Sequence, residues 1–105
     1  MSEMNFETLV EHFAGDSEVA EAKWFGKPCM NVHGKAFAVK FGRDVAFKLT
    51  GDDHGEALGV EGAKLFDPRG KGKAFKEWVQ VPVSQSATWP GFAEKARSFV
   101  SSLAK

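Results

Sequence analysis

Between residues 29 and 49, large apolar side chains alternate with small or polar ones in three runs separated by glycine-bearing turns. A period of two belongs to strands, because only an extended chain sends successive side chains to opposite faces. Met30 and Val32 make the first run, which ends at His33-Gly34-Lys35. Phe37, Val39 and Phe41 make the second, which ends at Gly42-Arg43-Asp44, and Val45, Phe47 and Leu49 make the third. Short alternating runs joined by tight turns predict antiparallel hairpins, each with one buried face. The register follows from the rule that opposed residues share a face. A two-residue Gly42-Arg43 loop would oppose Val39 to Ala46 and mix the faces. A three-residue loop, which sets Phe41 against Val45 and Val39 against Phe47, or its neighbouring face-matched register, is therefore expected.

Helical periodicity flanks this region. Phe6, Leu9, Val10 and Phe13 fall on one helical face, with Ser2 or Asn5 placed to cap the start and Gly15 to end it. Residues 16–23 read as loop or as one further helical turn. Residues 50–59 predict a short helix in which Asp53 and Glu56 have capping-box spacing. Residues 63–66 predict a fourth strand and residues 76–83 a fifth, with Pro82 confining the latter to an edge or to its own end. Trp89, Phe92, Ala93, Ala96, Phe99, Val100 and Leu103 recur at helical spacing, with Pro90 in the first turn and Thr88 as candidate cap. The expected architecture is one α+β domain over residues 1–105, a two-layer α-β-β-β-α-β-β-α arrangement with an antiparallel sheet packed against helices.

Charge and cysteine content narrow the function classes. The 14 basic and 14 acidic residues cancel, which speaks against a generally basic nucleic-acid binder. The cancellation hides blocks, with −6 over residues 1–22, +5 over 23–50, −4 over 51–67 and +5 over 68–105. Either acidic elements pack beside basic ones, or the folded surface carries a polar field for a partner. Cys29 is the single cysteine, so neither an intrachain disulfide nor a thiolate zinc cage is available. The acidic N-terminus has no secretory n-region, and no apolar run approaches the ~20 residues of a membrane span. A cytoplasmic location is expected.

The order of motifs resembles the TfoX N-terminal-domain-like family. The resemblance rests on Trp24-Phe25-Gly26, Gly34-Lys35-Ala36-Phe37-Ala38, Phe47-Lys48-Leu49, Leu65-Phe66-Asp67-Pro68 and Lys76-Glu77-Trp78-Val79. It covers roughly residues 20–104. Trp24 departs from the pattern, standing where a Met is expected before Phe-Gly. The resemblance implies a secretion-chaperone-like α+β fold and a regulatory or adaptor role, and it brings no catalytic residues. TfoX itself regulates natural competence and carries a further C-terminal domain, which is not expected here.

Candidate chemistry is sparse. His12, His33 and His54 lack helical ligand spacing, and Asp52-Asp53-His54 reads as a capping cluster, so no metal or cofactor is expected. Cys29 is the one candidate nucleophile, with His33 nearby in sequence, but no nucleophile signature surrounds it. The loop Arg69-Gly70-Lys71-Gly72-Lys73 offers glycine amides and lysine charge to an anion, without P-loop spacing. The most informative positions are those expected on the second sheet face: Ala36, Ala38, Lys40, Ala46, Lys48, Lys76, Trp78 and Gln80. Small residues, lysine stems and one large aromatic suit either a covering helix or a partner. Lys40, Lys48, Lys76 and Trp78 are the candidate contact residues of a non-enzymatic interaction module that binds a second copy of itself or another protein. The alternative is nucleic-acid or small-anion binding through the lysine-rich face and the 69–76 loop, with Lys71 and Lys73 contributing.

Overall fold

The computed structural model describes residues 5–24, 26–67 and 75–103. The elements are α1 (Phe6–His12), β1 (Val19–Trp24), β2 (Lys27–Val32), β3 (Lys35–Phe41), β4 (Asp44–Lys48), α2 (Gly51–Leu58), β5 (Lys64–Phe66), β6 (Phe75–Val81), a 3₁₀ segment (Val83–Thr88) and α3 (Trp89–Leu103). All neighbouring strands are antiparallel, in the order β1-β2-β3-β4-β6-β5. This is the α+β arrangement expected from the sequence, extended by one strand. Residues 19–24 form β1, an edge strand, where a loop or helical turn was expected.

Asn5 caps α1, its side-chain oxygen accepting from the Thr8 N–H at 2.8 Å. The other candidate cap, Ser2, lies outside the described residues. Two expected caps are not used. Thr50, not Asp53, precedes α2, so Asp53 sits within its first turn. Thr88 closes the 3₁₀ segment, donating its hydroxyl to the Gln85 carbonyl.

The hairpin turns explain the register. His33 and Gly34 both take positive φ, and this two-residue turn leaves Val32 opposite Lys35. Gly42 also has positive φ, and Gly42-Arg43 forms a two-residue loop with Phe41 opposite Asp44 and Val39 opposite Ala46. The three-residue loop expected from strict alternation is therefore corrected. The cause is a β-bulge: Met30 faces Ala38 while Asn31 faces Ala36, so Phe37 is an extra residue in β3. Its insertion turns Phe37 and Ala38 to one side and Val39 to the other, which restores matched faces with the shorter loop.

The main core lies between the sheet and the helices. Phe6, Leu9 and Phe13, Ala57, and Trp89, Phe92, Ala96 and Val100 pack on Met30, Val32, Phe37, Ala38, Val45, Phe47, Val79 and Val81. The Trp89 indole N–H donates to the Val81 carbonyl at 3.3 Å, seating the start of α3 on the sheet. Asp44 fixes the same end. Its carboxylate accepts from the Gln80 side-chain amide at 2.7 Å and from the Val83 N–H at 2.9 Å. Asp44→Ala leaves both donors without this acceptor and is expected to cost about 1–3 kcal/mol. The check is a lower urea midpoint with an unchanged denaturant slope.

Candidate functional site

The second face of the sheet carries its own cluster. Cys29, Val39, Ala46, Phe66 and Trp78 are buried there, with Ala22, Ala36 and Phe41 packed at their margin. Among the described residues this cluster is made of strand positions alone, and the buried apolar side chains of α1, α2 and α3 belong to the other face. Its floor is small and its cover aromatic. The Phe41 and Phe66 rings meet edge-on with centroids 5.3 Å apart, and Phe66 lies 6.3 Å from Trp78. Strands β3 and β5 are three ladder steps apart, about 14 Å in a flat sheet. The two rings therefore reach toward each other over the intervening strands, where Ala46 leaves room. Lys27 Nζ stands 5.2 Å from the Phe41 centroid, a cation held against the ring.

Among the expected contact residues, Lys48 and Trp78 share this face and oppose each other across β4 and β6. Ala36, Ala46 and Gln80 are there too. Lys40 and Ala38 are not, because the bulge transfers them to the helix side, where Lys40 Nζ lies 3.8 Å from Glu7 of α1. Lys48 Nζ lies 3.9 Å from Glu77. Trp78 is only 7% exposed, so most of its surface is already used within the single chain. Lys76 holds a place in β6, but its side chain lies outside the described residues, as does the loop carrying Lys71 and Lys73. Phe41, read as a core residue of the helix side, belongs to the second face instead. The fully apolar run Phe37-Ala38-Val39 gave no sign of where the alternation breaks.

The charge blocks pair with one another. Arg97 of α3 donates to Asp16 at 2.9 and 3.2 Å and to Glu18 at 2.7 Å, and His33 Nε2 lies 3.6 Å from the same Glu18. Lys95 meets Glu56 at 2.8 Å and Asp53 at 3.5 Å, while His12 contacts Glu94. The N-terminal and middle acidic blocks are thus tied to the C-terminal basic block. Arg97 holds the Asp16 carboxyl below its ordinary value of 3.8, helped by the Glu18 N–H. The bond to Glu56 raises Lys95 in turn. An open groove runs past His12, Phe13, Asp16, Glu94, Arg97 and Ser98. The His12–Glu94 pair there has the form of a base with its orienting carboxylate. The pair is an exposed hydrogen-bonded contact between α1 and α3.

Cys29 is 1% exposed, and burial pushes its thiol up. Its Sγ sits 3.5 Å from the Asn31 side-chain oxygen, an acceptor that favours the protonated thiol. His33 Nε2 stands beside Glu18, whereas the Cys29 thiol is directed to Asn31. No group of three potential metal ligands occurs among the described residues. Comparisons with protein-family models, curated proteins and solved structures find no match for this chain.

Two measurements follow from these environments. Cys29 is expected to react with a disulfide reagent far more slowly in the native protein than in urea; equal rates would contradict its burial. A carboxyl held low stabilises the fold above its ordinary value and loses that contribution as pH falls through the depressed one. The difference in urea midpoint between the wild type and Asp16→Asn is therefore expected to be present at neutral pH. It should close on acidification below the ordinary carboxyl range.

Proposed function

We propose that this protein is a self-associating interaction module of regulatory or adaptor type, acting through its sheet. The observation that carries the reading is the placement of all three helices against one face. Among the described residues the other face has no helix against it, and β1 is paired with a strand on one side only. Ala22, Ala36 and Phe41 are partly exposed there beside Lys27, a mixture of small, aromatic and cationic groups that suits protein contact. The regulatory side of the proposal rests on the order of sequence motifs alone, which resembles the TfoX N-terminal-domain-like family although no family model matches the chain.

The anion-binding alternative draws less support. Lys40 and Lys48 project from opposite faces, and each stands near a carboxylate, so they do not form one basic track. The absence of a helix long and apolar enough to cross a membrane, among the described residues, fits a role in solution or at a surface.

Sedimentation equilibrium is expected to show a dimer that forms with rising concentration, reaching a measurable fraction at tens of micromolar. A monomer throughout would overturn the reading. Salt-sensitive binding to a mixed-sequence oligonucleotide in place of dimerisation would favour the alternative.

A further inference from the structure

The geometry points to β1 as the contact between two copies of this chain, paired antiparallel about a two-fold axis at Ala22. This inference rests on the self-association proposed above and names its surface.

Strand β1 pairs with β2 on one side, and among the described residues nothing pairs with its other side. Lys23 stands opposite Pro28, which has no N–H and so suits a pair that exchanges no ladder bonds. Alternation then turns the peptide groups of Val19, Glu21 and Lys23 away from β2; the Val19 N–H donates to the Asp16 carbonyl at 3.1 Å, which leaves Glu21 and Lys23 to face the open edge. A six-residue strand with no neighbouring strand on that side, among the described residues, is a template for a further strand. The opposite edge, β5, has only three.

Charge selects the partner and the register. Outward-turned positions can only meet outward-turned positions, so a second β1 must bring 19, 21 and 23 against one another. Centring the axis on Glu21 opposes two glutamates, and centring it on Lys23 opposes two lysines. Centring it on Ala22 opposes Glu21 to the partner's Lys23, and the symmetry forms that pair twice. Ala22 then meets its own copy at the axis, where a small side chain allows close approach. Neither Glu21 nor Lys23 has an ionic partner among the described residues, unlike Glu7, Asp16, Glu18 and Lys40. The exposed large apolar residues described, Leu58 and Leu103, lie on helices and not beside β1.

Three variants test the register by sedimentation equilibrium, with circular dichroism confirming the fold. Glu21→Lys and Lys23→Glu each set like charges opposite one another twice and are expected to weaken dimerisation roughly tenfold. The double variant Glu21→Lys/Lys23→Glu restores opposite charges and is expected to recover wild-type affinity. A dimer indifferent to all three would overturn the β1 contact while leaving self-association intact. Weakening in the single variants without recovery in the double would overturn the Ala22-centred register. A wild-type monomer would remove the proposed function itself.

Discussion

One extra residue in β3 governs how this protein is divided into layers. Without the bulge at Phe37, strict alternation would send Phe37, Val39 and Phe41 to a single face and leave the other to alanines and Lys40. With it, Phe37 and Ala38 fill the space beneath the helices, and Val39 and Phe41 build a second apolar layer with Cys29, Ala46, Phe66 and Trp78. The two-residue loop at Gly42-Arg43 and the placement of Lys40 beside Glu7 follow from the same shift. A sheet with apolar residues on both faces and helices on one must find another cover for its second face. Here much of that cover comes from aromatic rings laid across small residues.

The ionic contacts act on a different scale. Most of the pairs are exposed and contribute little singly, whereas the Arg97–Asp16 pair is part-buried and doubly hydrogen-bonded. Their arrangement is informative all the same, because α3 carries Glu94, Lys95 and Arg97 to α1, to α2 and to the segment before β1. The alternating charge blocks of the sequence thus describe which elements lie side by side. The neutral total results from complementary neighbours and not from an absence of charge.

Much of the fold was legible in the chain. The final helix, the two hairpins and the α2 segment follow from periodicity and glycine placement, because those signals are local. Strand β1 was missed because Ala20, Glu21, Ala22 and Lys23 favour helix, and only pairing with β2 makes them extended. The bulge was missed because every residue from Ala36 to Val39 is small or apolar, so no polar position marks the change of parity. That one omission moved Lys40 and Phe41 to the wrong faces and made the second face look more basic and open than it is. Trp78 reads as an anchor for a partner in sequence, whereas its neighbours Phe66 and Ala46 make it mostly internal.

The Arg97 clasp has a kinetic consequence. The contacts from β1 to β4 join strands that follow one another directly in the chain, whereas Arg97 and Asp16 are separated by 81 positions. Local hairpins close quickly and at small entropic cost, and so distant a contact forms after much of the chain is in place. Interactions that form late slow escape from the native state more than they speed arrival. The bonds from Arg97 to Asp16 and Glu18 thus act as a latch on unfolding, holding the ends of the chain together after the meander has assembled between them.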